Sequence, residues 1–306
     1  MFLRVFSLPF NFTKMPDGFS QLRQAIEKAH CVPRKPLAAP LRLPPLTAGL
    51  ALATASGASP INSLTAQVVL DQRSSFPYQT AAFAGGETAA HAHVKQYFSR
   101  QLAHTYKAMR NQLHGIDFSS KFSPWLTLGC LSEPRIYATL QESEEQHGAN
   151  ESTYWLWFEL LWRDYFRFLH LKHGVKLYRA QGLFTQPQAP IVSHDAKAFQ
   201  HWCQGETGNT FVDTGMRELA ATAYLSNRMR QNVASFLVHD LACDYRAGAA
   251  WFESQLIDYD VHSNQGNWLY IAGRGTDPRD GRRFNIAKQT QEYDPDGHYQ
   301  KQWETT

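Results

Sequence analysis

Apolar residues recur three or four positions apart over most of the chain, which is the spacing of one helical face. Between residues 16 and 30, for example, Phe19, Leu22 and Ile26 follow Asp17 at this spacing. The same pattern covers residues 88–113, 132–146, 152–173, 195–204, 213–224, 226–247 and 248–257. No segment after residue 86 alternates apolar and polar residues as an amphipathic strand does. The pattern predicts an all-α fold, and the lack of a fixed repeat argues against a solenoid.

One region, from Val32 to about Ala66, interrupts the helical pattern. Six prolines lie there among Ala, Leu, Ser and Gly residues: Pro33, Pro36, Pro40, Pro44, Pro45 and Pro60. Because proline has no backbone donor and a fixed φ, the region predicts an extended connector that lies over a surface. We therefore divide the chain into residues 1–85, a helix and connector, and residues 86–306, a helical domain.

The composition adds a large aromatic content to this picture. Of the 306 residues, 43% are hydrophobic and 13% aromatic, while 19% are charged, so we expect a sizeable core and an aromatic interior or pocket. The formal net charge of +3 is too small to indicate a nucleic acid or a membrane by itself. No apolar run is long enough to span a membrane, and the four cysteines have neither zinc nor disulfide spacing. We expect a cytoplasmic protein without a metal site.

The segment FELLWRDYF carries the first candidate chemistry. Glu159, Trp162, Arg163 and Phe166 lie at positions i, i+3, i+4 and i+7 and therefore share one helical face. Such a face presents a carboxyl, an indole and a guanidinium to a ligand. The alternative is an ordinary amphipathic helix, in which the tryptophan packs in the core and Glu159 pairs with Arg163.

Two further segments carry polar side chains. In SNRMRQNVASF, Asn227, Arg230 and Gln231 lie on one side of a helix capped by Ser226, an arrangement that suits a planar polar ligand. The segment LIDYDVHSNQGNW is short, acidic and irregular, with Asp258 as its first carboxyl. It is either a turn that ends a helix or the start of a calcium loop, although it lacks the later carboxylate that such a loop requires.

The segment SSKFSPWLTLGCLS places several hydroxyls just before a helical stretch. Ser119, Ser120, Lys121 and Ser123 lie there. Hydroxyls and backbone N–H groups at the start of a helix bind anions, so the segment predicts a phosphate site. The alternative is an ordinary N-cap.

Taken together, these segments resemble the FAD-binding domain of the photolyase/cryptochrome family, and in particular its DASH branch. The motifs that carry the resemblance are YKAMRNQL, KFSPWLTLGCLS, STYWLWFELLWRDYFRF, FQHWCQGETGNTFVDTGMREL, LSNRMRQNVASFL and LIDYDVHSNQGNWLYIAGRGTDPR. They occur in the order of the family, from about Leu8 to Trp303. The resemblance implies a photolyase-type helical FAD-binding domain preceded by an extended interdomain linker, with FAD as cofactor.

The resemblance also implies which residues bind FAD. Near the diphosphate, the resemblance implies Tyr106, Ser119, Ser120, Lys121, Phe122 and Ser123. It places Asn227 beside flavin N5, and Arg230 and Asp258 as an ion pair beside the isoalloxazine. Asp260 and Asn264 are implied around the ribose and ring edge, and Arg163 in the cavity wall.

The family uses blue light and reduced flavin to split cyclobutane pyrimidine dimers flipped out of DNA. The resemblance implies Glu159, Trp162, Asn227 and Gln231 as catalytic residues, and Arg110, Lys121, Arg228 and Arg282 as contacts to the DNA backbone. We expect a monomer that acts on single-stranded, dimer-containing DNA. Two alternatives stay open: a flavin photoreceptor or nucleic-acid-binding regulator without catalysis, and a truncated, inactive homologue.

Two departures from the family change the expectations. The chain begins in the connector that follows the family's antenna domain, so we expect no antenna pigment. The family's chain of three tryptophans for flavin reduction is incomplete, because Trp268 matches the member nearest the flavin whereas Tyr245 and Val192 occupy the other two positions. Trp251 or Tyr270 are candidate substitutes.

Overall fold

A computed structural model describes residues 2–3, 7–42, 44–45, 71–184, 194–277 and 281–304. Within these ranges the regular structure is helical and contains no strand, which confirms the predicted all-α class. The α-helices of the described ranges are α1 (Phe19–Lys28), α2 (Glu87–Ser99), α3 (Tyr106–Met109), α4 (Ser123–Thr127), α5 (Glu133–His147), α6 (Glu151–His173), α7 (Ala196–Gln204), α8 (Thr210–Thr222), α9 (Asn227–Ser235), α10 (Tyr245–Gln255), α11 (Val261–Ile271), α12 (Ile286–Tyr293) and α13 (His298–Gln302).

Helix α6, with 23 residues, is the central element of the fold. Asn150 caps it: its side chain accepts hydrogen bonds from the backbone N–H groups of Ser152 and Thr153, and the Thr153 hydroxyl accepts one from the N–H of Asn150. This reciprocal arrangement satisfies backbone donors that the first turn would otherwise leave free. Helix α6 packs against α3 on one side and α11 on another, and the faces it turns toward them include both core and candidate site residues.

Three sequence predictions of helix boundaries are wrong. The predicted helix 88–113 breaks at Gln101, which adopts a left-handed conformation with φ of 55°. The predicted helix 226–247 ends in a π-helical turn, Phe236–Asp240, because Asp244 caps a new helix by accepting from the N–H of Arg246. The acidic segment at 256–268 is irregular only up to Asp260, which caps α11. Each error follows from a single residue whose conformation or cap depends on the folded chain.

The segment before α2 is only partly described. Residues 31–42 and 44–45 have no regular structure, as expected for a connector, and the rest of the predicted connector lies outside the described residues. At the start of the chain, the backbone N–H groups of Phe2 and Leu3 donate to the buried carboxylate of Asp164 at 3.0 and 2.5 Å. Helix α1 packs on α6. Residues 1–85 therefore contain structure that is anchored on the helical domain.

Among the residues that the structure describes, no helix has the length and apolar character needed to cross a membrane.

Candidate functional site

A cavity of about 450 Å³ lies between α6, α9, α11 and the loop that precedes α4. A smaller cavity of about 90 Å³ adjoins it and shares Asn227, Arg230, Gln231, Asp258 and Asp260 with it. Most residues predicted for the site line the larger cavity: Tyr106, Arg110, Ser119, Ser120, Lys121, Phe122, Ser123, Glu159, Trp162, Arg163, Asn227, Arg230, Gln231, Asp258, Asp260 and Arg282. The fold thus brings together segments that are more than 100 positions apart in the sequence.

One side of the cavity carries a buried ion pair between α9 and the segment before α11. Asp258 is 6% exposed, and both of its carboxylate oxygens accept from Nη2 of Arg230, at 3.0 and 2.9 Å. Arg230 Nε also donates to the carbonyl of Leu225 at 2.8 Å. The pair implied by the resemblance is therefore present, and the guanidinium is held from two directions.

A second ionic group lies beside this pair. Arg163 donates from Nε to Glu133 at 3.0 Å and from Nη2 to Asp260 at 2.9 Å. Burial opposes ionisation of Asp260, but the charge of Arg163 and the N–H of Ser263 hold the pKa of that carboxyl below its usual value. The expected alternative pair between Glu159 and Arg163 is wrong, because the two side chains turn to different partners. We call Glu133, Arg163, Arg230, Asp258 and Asp260 the paired end of the cavity.

Another part of the cavity wall is formed by residues 119–123, which we call the loop end. Ser119 and Lys121 adopt left-handed conformations, with φ of 60° and 58°. Non-glycine residues rarely adopt this conformation, which costs of order 1–3 kcal/mol and is frequent in functional loops. A backbone that turns left-handed at alternating positions directs its N–H groups into a concave, anion-binding surface.

Lys121 is the unusual side chain of the loop end. It is 2% exposed, its Nζ has no hydrogen-bond partner among the described residues, and the ammonium lies 3.2 Å from the ring centre of Phe118. Burial lowers the pKa of Lys121 well below its usual value, and the charge of Glu218 offsets only part of this effect. The prediction that Lys121 contacts the DNA backbone is wrong, because a buried side chain cannot reach a phosphate outside the protein.

The mouth of the cavity is aromatic and also carries charge. Trp162 is partly exposed, and Phe19 of α1 stacks on one face of its ring at 3.8 Å with an interplanar angle of 14°. Tyr270 meets Trp162 edge-on at 5.7 Å. Glu159 pairs with Arg110. Tyr165 and Phe166 also contact the Trp162 ring, at 5.3 and 5.4 Å, so the mouth is an aromatic wall bordered by an ion pair.

Sequence analysis missed Phe19 and Tyr270 as wall residues. Phe19 lies 143 positions before Trp162 in the chain, and its helical spacing indicated only a core contact. Glu133, the first residue of α5, was also missed, because a glutamate in a first turn is usually explained by the helix dipole.

The remaining predicted cofactor-binding and catalytic residues line different parts of the two cavities. Asn227 and Gln231 line both cavities, and Tyr106 is buried in the wall, where burial raises the pKa of its phenol. Asn264 lines only the smaller cavity of the two and donates from Nδ2 to the carbonyl of Ala249 at 3.0 Å. Its amide is therefore engaged with α10.

Two other predicted DNA contacts, Arg228 and Arg282, make contacts within the protein. Arg228 is half-buried, donates to Asn111 at 2.9 Å and lies 4.8 Å from the ring centre of Tyr293. Arg282 pairs with Asp277 at 2.7 Å and also contacts the hydroxyl of Tyr270.

Two of the three predicted relay positions lie within the described residues. Trp268 is buried and lines the smaller cavity, while the Tyr245 hydroxyl donates to the carbonyl of Arg179 at 2.7 Å. Val192 lies outside the described residues. Another buried indole, that of Trp202, lies next to Trp268, with ring centres 6.3 Å apart. Sequence analysis missed Trp202 because its neighbours come from other helices.

Comparison with known proteins agrees with this geometry. Residues 155–305 match the family model described as the FAD binding domain of DNA photolyase. The chain is 45% identical over 298 residues to a cryptochrome DASH of Vibrio parahaemolyticus, covering 97% of this chain and 62% of that protein. It is 47% identical to the cryptochrome DASH of Danio rerio, covering 97% of this chain and 55% of that protein.

The structure is similar to the crystal structure of a Synechocystis cryptochrome. The TM-score is 0.84 at 44% identity, with 99% of this chain and 61% of that chain covered. The chain thus spans about three fifths of the length of these relatives.

Proposed function

Because this chain belongs to the photolyase/cryptochrome family, we propose that it binds FAD in the larger cavity and uses blue light to split cyclobutane pyrimidine dimers in DNA. The observation that carries the proposal is the composition of this one cavity. It joins an ionic end, an unpartnered buried cation and an aromatic mouth within about 450 Å³, a volume typical of cofactor sites.

The chemistry of the cavity fits FAD. Lys121 and the left-handed loop end would hold the diphosphate, since a buried ammonium without a partner is costly until an anion reaches it. Arg230 and Asp258 would flank the isoalloxazine, and Asn227 would face its polar edge with either the donor or the acceptor of its amide. Asp260 and Arg163 would border the ribose. Asn264 would contribute only after its amide leaves Ala249.

When bound and reduced, FAD would supply the excited electron that opens the dimer and would take it back afterwards. The residues of the mouth would act on the substrate. The exposed part of the Trp162 ring would stack on the flipped pyrimidines, and Tyr270 would close the wall beside it. Arg110 would donate to the dimer carbonyls and stabilise negative charge as it develops, and Glu159 would hold the guanidinium of Arg110 in position.

We propose that the DNA substrate is single-stranded. A base that is not paired costs less free energy to flip out of the stack. Near the mouth, Arg110 and Arg282 are already paired with carboxylates, so the rim offers little free positive charge to hold a duplex backbone.

The direct experiment is dimer repair by the purified protein with chemically reduced FAD, on single-stranded DNA that contains dimers, in blue light and in the dark. Trp162→Ala should weaken binding of the lesion by about 1–3 kcal/mol, the value of base stacking. Glu159→Gln should bind nearly as well and repair less per absorbed photon, because it loosens the hold on Arg110, whose charge acts mainly during the reaction. Glu145→Gln, an exposed substitution on α5, is the matched control.

The competing function is binding or light sensing without catalysis. The stacked Phe19, which already occupies one face of Trp162, favours it. If the parent protein binds this DNA but splits no dimers in blue light, the repair proposal is wrong and the binding function replaces it.

A further inference from the structure

We propose that Trp202 is the second electron donor of this protein, the residue that refills Trp268 when light reduces the oxidised flavin. This inference rests on the proposed function, since it requires FAD in the cavity. In the resemblance, Tyr245 occupies the position of the second relay residue. We assign that role to Trp202 instead.

The geometry around Trp268 carries the inference. Its indole lies at the wall of the smaller cavity and meets Trp202 at 6.3 Å and Phe252 at 5.2 Å, both edge-on. Trp202 and Phe252 are in turn nearly parallel, with ring centres 6.2 Å apart. Gly248 of α10 has no side chain, and a Cβ there would collide with the Trp268 ring. The three rings therefore form one contact cluster that leads from the cavity toward α7.

Of the two rings that contact Trp268, Trp202 is the one that can be oxidised readily. Indole gives up an electron much more easily than the phenyl ring of Phe252. Trp202 is fully buried, and its Nε1 donates to the carbonyl of Val233 at 3.0 Å. This hydrogen bond becomes charge-assisted, and stronger, when the indole carries a positive charge. It therefore offsets part of the desolvation cost of placing that charge in the core.

Tyr245 is a poorer donor in this fold. Oxidation of a phenol requires loss of its proton, and the Tyr245 hydroxyl donates to a backbone carbonyl, which is not a base. Burial raises the pKa of Tyr245 to about 12. The phenol therefore has no proton acceptor at hand.

The electrons balance along this route. With FAD bound, Trp268 would give one electron to the photoexcited cofactor, and Trp202 would give one electron to the resulting Trp268 radical cation. The positive charge then resides on Trp202. A soluble thiol returns one electron from outside. Phe199, which is partly exposed, stacks on Trp202 at 5.9 Å, so Trp202 lies only one ring below the surface of α7.

The experiment follows photoreduction of the FAD-loaded protein in blue light with a soluble thiol, by loss of the oxidised flavin band. We expect the yield of Trp202→Phe to fall about tenfold or more, because phenylalanine cannot refill Trp268 before the charges recombine. Trp157→Phe, which removes a partly exposed tryptophan of α6, is the control and should stay close to the parent. FAD content and thermal unfolding of each variant are measured in parallel.

A second measurement needs only the parent and covers the case in which Trp202→Phe does not fold. Spin-correlated radical-pair EPR gives the distance between the flavin and the tryptophan radical. We expect a pair with the longer spacing of Trp202. A pair confined to Trp268, or an equal photoreduction yield in a folded, FAD-loaded Trp202→Phe protein, would overturn the role of Trp202. A parent that retains no FAD would instead overturn the proposed function on which this inference rests.

Discussion

The paired end and the loop end of the cavity both carry positively charged side chains. Only those of the paired end are hydrogen-bonded to carboxylates. At the paired end, Arg163 and Arg230 each donate to carboxylates at 2.9–3.0 Å. At the loop end, Lys121 has no hydrogen-bond partner among the described residues, and two of its loop's residues are left-handed. The paired end is thus complete without a ligand and keeps its shape. The loop end holds an unbalanced cation and a strained backbone, both of which an anion would relieve.

The largest expected effect comes from breaking the paired end. Asp258→Ala would leave Arg230, whose side chain is 23% exposed, without its carboxylate, at a cost of up to about 3–5 kcal/mol, the range for a fully buried pair. We expect FAD occupancy of the purified protein to collapse. Asp244→Ala, which removes a cap and a surface pair with Arg246 on α10, should keep its FAD. If Asp258→Ala copurifies with as much FAD as the parent, the pair does not support the cofactor site.

The next effect concerns Glu218, a buried carboxyl whose charge acts on Lys121 behind the loop end. Burial raises the pKa of Glu218 to about 7, although Tyr299 and Ser75 donate hydrogen bonds to it. The folded protein therefore holds this proton at pH values where the unfolded chain has released it. The free energy of unfolding should fall as pH rises between about 4.5 and 7, by about 1.4 kcal/mol per unit and about 3 kcal/mol in all.

Urea unfolding at both ends of this pH range tests the effect. Glu218→Gln keeps a similar shape but cannot ionise, so its curve should lack this part of the pH dependence. The comparison uses the difference between the two proteins, because other buried groups such as Asp164, whose pKa burial raises to about 6, titrate in both. An identical pH dependence would mean that Glu218 is ionised throughout the range.

The smallest effect tests the loop end directly. Lys121→Met removes the unpartnered amine and leaves an apolar side chain of similar length. The protein without ligand should become more stable, since a buried donor without a partner costs about 1–3 kcal/mol. Affinity for FAD or for ADP should fall by about 1.5–3 kcal/mol, the value of a hydrogen bond to a charged group.

Lys95→Met, on the exposed face of α2, is the control for this pair of measurements. It should change neither quantity. If Lys121→Met binds ADP as tightly as the parent, Lys121 does not face the phosphates.

The helices and most cavity residues were predictable from the sequence, because periodicity and short motifs are local. Ser226 was recognised as the cap of α9, and its hydroxyl accepts from the N–H of Met229 at 3.3 Å. The failures at Lys121 and Phe19 depend on distant contacts. Lys121 is buried partly by Tyr224, which comes from the other half of the chain, and a lysine near serines gives no sign of burial. Phe19 reaches Trp162 only because the first helix folds back onto α6.

Flavin content of the purified protein tests the central claim most directly. The protein is incubated with excess FAD, separated from free cofactor by gel filtration, and its absorption spectrum is recorded before and after denaturation. We predict flavin bands in the blue and close to one FAD released per chain. A folded, helical protein that retains no flavin after this treatment would contradict the assignment of the cavity to FAD.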